Sequence, residues 1–192
     1  MREFKIFLPL YDGVVNIEVG IDSNSVIKKP LKNKNKPIIF YGTSITQGGC
    51  ASRPGMVHTN IISRKLDLDC INFGFSGNGR MEQPIAKLIS ESKPLFYVIE
   101  CMPNMINQEN VANNTIPLVD TIRENNPEAP IVFIENFIPT FPILDKKRAN
   151  DIKGMNLALK TEYQKMISDG YHNIFYIKTE NAIGNDNEGT VD

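Results

Sequence analysis

The chain has 192 residues, 41% apolar and 22% charged, with a formal net charge of −1. That suits one domain with a core and gives no electrostatic reason to bind nucleic acid or an anionic membrane. No apolar run approaches the roughly 18 residues a bilayer span needs, so no membrane span is expected.

Residues 1–5 lack the apolar segment of a signal peptide. With Met1 as the true start the protein is expected in the cytoplasm. For a longer parent chain, a periplasmic or secreted location stays open. The three cysteines, Cys50, Cys70 and Cys101, and the two histidines, His58 and His172, show neither a disulfide framework nor metal-ligand spacing. No metal and no cofactor is expected.

Residues 3–9 and 14–21 read as two short strands joined at Asp12-Gly13, a hairpin signal. In the second, Val15, Ile17, Val19 and Ile21 share one face. Residues 1–29 therefore read as the end of a β domain, and the Lys/Asn/Pro-rich residues 30–36 as a linker. From Pro37 the pattern changes to apolar runs alternating with amphipathic segments. Strands are predicted at 38–41, 70–73, 95–100, 131–135 and 173–177. Helices are predicted at 57–66, 81–91, 108–125 and 145–169. This alternation predicts a three-layer α/β/α domain over 37–192, with a five-stranded parallel sheet of flavodoxin-like type. In such sheets, ligands collect at the C-terminal strand ends.

Three loops at those ends stand out. The first is Gly42-Thr43-Ser44-Ile45-Thr46-Gln47-Gly48-Gly49. A serine just past a buried strand can turn its hydroxyl and its own N–H into one cleft, as attack on an ester requires. The same serine could instead serve as a helix N-cap. The loop lacks the lysine of a phosphate-binding loop. The second loop is Phe73-Gly74-Phe75-Ser76-Gly77-Asn78-Gly79, whose glycines let backbone approach a ligand or make a tight turn. The third is Glu100-Cys101-Met102-Pro103-Asn104, where the Asn104 amide can donate to an oxyanion or close an Asx-turn.

Together the three loops resemble those of the SGNH (GDSL-type) hydrolases, from about Pro37 to Asp192. The long block from Tyr41 through Gly42-Thr43-Ser44-Ile45-Thr46 to Ser52-Arg53-Pro54-Gly55-Met56 is similar to that of a bacterial subgroup that often carries a β-sandwich before its catalytic domain. The resemblance implies Ser44 as nucleophile, with an oxyanion hole made by the Ser44 N–H, the Gly77 N–H and the Asn104 amide. Cys101-x-Pro103-Asn104 replaces the more usual Gly-x-Asn-Asp. Gly189-Thr190-Val191-Asp192 matches the approach to the Asp-x-x-His block, making Asp192 the triad aspartate.

The histidine of that block would stand three positions beyond Asp192. The chain is accordingly expected to be truncated at both ends and, as written, to hydrolyse poorly. His58, near the nucleophile in sequence, is a poor substitute for that base, and His172 reads as a surface residue. Arg53 and Glu135 are candidates for substrate contact, with structural roles open for both. Cys101 reads as a small buried hydrophobe.

The resemblance implies an ester hydrolase acting on a small-molecule or carbohydrate ester, an O-acetyl or short-chain acyl group. The alternatives are an inactive chain retaining at most ligand binding and a flavodoxin-like nucleotide-binding module.

Overall fold

The computed structural model describes residues 3–29, 35–138, 145–180 and 182–184. The catalytic aspartate expected at Asp192 lies outside the described residues, as does most of the expected linker. Five parallel strands form one sheet in the order β2-β1-β3-β4-β5. They are β1 (Ile38–Gly42), β2 (Cys70–Gly74), β3 (Phe96–Glu100), β4 (Ile131–Ile134) and β5 (Ile174–Ile177). The helices between them are α1 (Ser44–Gln47), α2 (His58–Leu66), α3 (Gln83–Ser90), α4 (Gln108–Asn125) and α5 (Lys146–Ser168). The α/β class and the parallel sheet agree with the sequence reading. Three short elements do not appear in it: α1 and the 3-10 turns Pro54–Met56 and Met102–Asn104.

The central strands β1 and β3 are buried on both faces, which is why they read as continuous apolar runs. Ile39, Tyr41, Tyr97, Ile99, Ile131 and Phe133 point into the larger core, shared with α3, α4 and α5. Ile38, Phe40 and Val98 point the other way, into a smaller cluster that includes Ile62 of α2. The helices begin where their caps stand. The Asn107 side chain accepts from Asn110 N at 2.8 Å at the start of α4, and Asp145 accepts from Arg148 N at 2.9 Å before α5. None of the described helices is long and apolar enough to cross a membrane.

The N-terminal segment stands apart from the sheet. Residues 3–29 form no strand; their only backbone–backbone turn bond is Ser25 N to Asp22 O at 2.8 Å. Val15, Ile17, Val19 and Ile21 are all at least half exposed. Alternating apolar residues make a strand only when a neighbouring strand accepts their backbone groups, and among the described residues none lies alongside. The segment is instead tied to the α/β unit at separate points. Lys5 Nζ donates to Ser63 Oγ at 2.8 Å, Phe7 packs under the Arg64 guanidinium, and Gln47 Nε2 donates to Leu10 O at 3.2 Å.

Candidate active site

The strand order sets the site. β1 lies between β2 and β3, so the loops leaving these three strands meet at one edge of the sheet. Gly42 ends β1 and Thr43 caps α1, its hydroxyl accepting from Ile45 N at 3.2 Å. Ser44 is the first residue of α1, half-buried at the sheet edge. As a first-turn residue, its N–H has no partner inside the helix, leaving it free for an external acceptor. Its carbonyl accepts from Gly48 N at 2.9 Å and Gly49 N at 2.8 Å, which curls the turn back on itself. Gly48 sits at φ +110°, a left-handed conformation that favours glycine.

The second loop is bonded to the first. Phe75 N donates to Gly42 O at 2.9 Å, and Ser76 N donates to Gln47 Oε1 at 2.9 Å. Asn72 reaches across to Thr46 O at 2.5 Å and Thr59 Oγ1 at 3.1 Å. Gly79 needs to be glycine, since a methyl group there would lie 2.1 Å from Gly42 O. Gly77 has φ +72° and is exposed, with open space where a side chain would be. It forms the tip of a turn closed by Asn78 N to Phe75 O at 3.0 Å. Beyond it, the Tyr41 hydroxyl bonds the Glu82 carboxylate and accepts from Glu82 N at 3.0 Å. Burial and the neighbouring Glu82 push the Tyr41 phenol far above its usual range.

Asn104 ends the 3-10 turn after β3 and closes the arrangement. Its amide donates to Asn78 O and, at 3.5 Å, to Phe75 O. Ser44, Gly77 and Asn104, separated by up to sixty positions in sequence, thus stand on three interlocked loops. Cys101 beside them is fully buried, its thiol 3.8 Å from Tyr41 O, and burial pushes that thiol well up. A small buried hydrophobe is what this environment accepts.

The other candidates fall elsewhere. The Glu135 carboxylate accepts from Tyr176 OH at 2.5 Å and Thr179 N at 3.3 Å, so it ties β4 to the end of β5. Arg53 is exposed at the entry of the Pro54–Met56 turn. The two do not pair with each other. His58 packs edge-on against Phe40 at 5.7 Å between ring centres, and burial lowers its pKa. His172 lies before β5, at the opposite end of the sheet, 3.2 Å from Glu128. Among the described residues no His/Cys/Asp/Glu group could hold a metal.

Glu100 escaped the sequence reading except as a strand end. Its carboxylate lies directly beneath the serine turn, 9% exposed, bonded to Thr43 and Thr46. The available signal was a carboxylate closing the otherwise apolar Phe96-Tyr97-Val98-Ile99 run.

Comparison with known proteins follows the same outline. The GDSL-like Lipase/Acylhydrolase family profile matches residues 35–192. A crystal structure assigned as a GDSL-like lipase from Bacteroides ovatus ATCC 8483 superposes with a TM-score of 0.91 at 33% identity, over 97% of this chain and 55% of that one. The chain therefore spans about half the length of that protein. A salicylyl-acyltransferase from a tetracycline biosynthetic pathway matches with a TM-score of 0.68 at 20% identity, over 76% of this chain and 43% of that one. A family two carbohydrate esterase from Clostridium thermocellum, in complex with cellohexaose, matches with a TM-score of 0.57 at 17% identity, over 83% and 58%. No curated protein matches. With a profile match over most of its length and a one-third-identical relative superposing on nearly all of it, this chain belongs to the GDSL-like lipase/acylhydrolase family.

Proposed function

We propose that the protein is a serine ester hydrolase of the SGNH type, acting on O-acetyl or short-chain acyl esters of carbohydrates. The observation that carries this reading is the gathering of Ser44, Gly77 and Asn104 on three hydrogen-bonded loops at the C-terminal edge of the central strand. In this mechanism Ser44 Oγ attacks the ester carbonyl. The Ser44 N–H, the Gly77 N–H and the Asn104 amide receive the negative charge that develops on the carbonyl oxygen. The alcohol leaves, and water releases the acyl group from Ser44.

The reaction needs a general base. His58 is packed against Phe40 and His172 stands at the far end of the sheet, so neither supplies one beside Ser44. The reading assigns the base to a histidine three positions beyond Asp192, oriented by Asp192, in the longer chain. The carbohydrate preference draws on the subgroup resemblance and on the cellohexaose-bound esterase that shares the fold.

The test uses the full-length gene product. It should release p-nitrophenol from p-nitrophenyl acetate and acetate from acetylated xylo- and cello-oligosaccharides. Ser44→Ala should lower both rates by about 10⁴-fold or more and abolish labelling by a fluorophosphonate. Full activity in that variant would overturn the assignment. A second reading, a chain that binds an ester without turning it over, draws support from the placement of both described histidines. It would be preferred if the full-length wild-type protein binds acetylated oligosaccharide but shows neither turnover nor labelling.

A further inference from the structure

A single buried carboxylate organises the turn that carries Ser44. Glu100 is the last residue of β3, the strand next to β1. Its Oε2 accepts from Thr46 Oγ1 at 2.7 Å, Thr43 Oγ1 at 3.0 Å and Thr43 N at 3.2 Å, and its Oε1 lies 3.2 Å from Thr43 Oγ1. Thr43 and Thr46 bracket Ser44 in sequence. Gly42 belongs to the same arrangement, because a methyl group there would lie 2.6 Å from Glu100 Oε2 and 2.4 Å from Thr46 Oγ1. Three of the five residues in Gly42-Thr43-Ser44-Ile45-Thr46 are thus shaped around one side chain of another strand.

The donor inventory explains why a carboxylate stands there. Thr43 Oγ1 accepts from Ile45 N at 3.2 Å, which leaves its own proton to be given away. The Thr43 N–H can only donate. Thr46 Oγ1 sits at the shortest distance. These donors converge on one carboxylate oxygen, Glu100 Oε2, which accepts from Thr43 and Thr46 together. Burial raises its pKa, and the hydrogen bonds from Thr46 and Thr43 oppose that rise. A buried carboxylate satisfied only by such donors is costly to place, and its bonds hold the donors in turn.

We infer that Glu100 is a positioning residue for the nucleophile: through Thr43 and Thr46 it fixes the turn that aims the Ser44 hydroxyl and N–H. It touches no substrate. The inference rests on the reading of Ser44 as the nucleophile. A small misplacement of a reacting group can cost about 10²-fold in rate, whereas substrate contacts made elsewhere are unaffected.

The test compares Ser44→Ala, Glu100→Gln, Thr46→Val and the double variant Glu100→Gln/Thr46→Val in the full-length protein, assayed with p-nitrophenyl acetate. The amide of Glu100→Gln replaces one carboxylate oxygen with an N–H donor, which removes an acceptor from beside Thr43 Oγ1. We expect kcat to fall roughly 10- to 100-fold, with KM within about twofold of wild type. The double variant should lose much less than the product of the two single losses. A loss of packing alone would lower the folded fraction without such a split.

A folded Glu100→Gln with wild-type kcat overturns the inference, and so do single losses that simply multiply. If Glu100→Gln does not fold, Thr46→Val decides, since it keeps the carboxylate and removes its shortest contact: an unchanged kcat overturns the inference, and a fall of about fivefold or more at constant KM supports it. Failure of the nucleophile reading shows separately, as retained activity in Ser44→Ala.

Discussion

At the residue scale, the same residue types carry different chemistry because of what surrounds them. Of the two histidines, His58 packs on a core aromatic ring and His172 stands by Glu128 before β5. His58 is packed on Phe40, and burial lowers its pKa from the ordinary 6.5. The unfolded chain then binds a proton that the folded one does not, so stability falls as pH drops below about 6.5 and down through the lowered value. Wild type should lose more thermal stability between pH 7 and 5.5 than His58→Phe, measured by the shift in melting temperature of each. An equal shift in both would show that His58 does not titrate on unfolding in that window.

Glu100 shows the limit of sequence reading at this scale. A glutamate after four apolar residues was visible, but its partners lie more than fifty positions away and become its neighbours only when β3 pairs with β1. The loops of Ser44, Gly77 and Asn104 were recognisable in the sequence, and the roles proposed for the three residues come from the resemblance of the loops taken together. Arg53 and Glu135 were not readable in this way, because their alternatives depend on tertiary neighbours: Tyr176 and Thr179 take up Glu135.

At the element scale, the long pieces were legible and the short ones were not. β1 to β5 and α2 to α5 lie within a few residues of their expected bounds, since apolar strands and amphipathic helices imprint their pattern over many residues. The four-residue α1 has too few positions for any periodicity and is held by the Thr43 cap. The N-terminal segment is the converse case, a strand-like pattern without a strand. One of its ties to the molecule runs through Gln47, which donates to Leu10 O and also accepts from Ser76 N. Gln47→Ala removes both bonds. At a net of about 1 kcal/mol for a typical hydrogen bond, the segment should open roughly fivefold more often. Trypsin should then cleave within residues 3–29 about fivefold faster, while the 35–177 unit stays intact. An unchanged cleavage rate would mean that the Lys5 and Phe7 contacts suffice.

At the scale of the whole molecule, the two faces of the sheet are unequally dressed. α3, α4 and α5 bury one face in a continuous core, and α2 covers part of the other. Register puts Phe175 beside Val132 and Ile177 beside Ile134, on the α2 side of the sheet and beyond α2 itself. Phe175 is 50% exposed and Ile177 48%. Among the described residues, this corner of the sheet presents an oily shoulder to water. A solvatochromic dye such as anilinonaphthalene sulfonate should therefore fluoresce with this native 192-residue chain, without any acid or denaturant to loosen it. Phe175→Ser should dim that fluorescence while leaving the far-ultraviolet circular dichroism unchanged. The same shoulder adds to the apolar surface through which copies can adhere, so that a single polar replacement there should raise the concentration at which the protein stays clear.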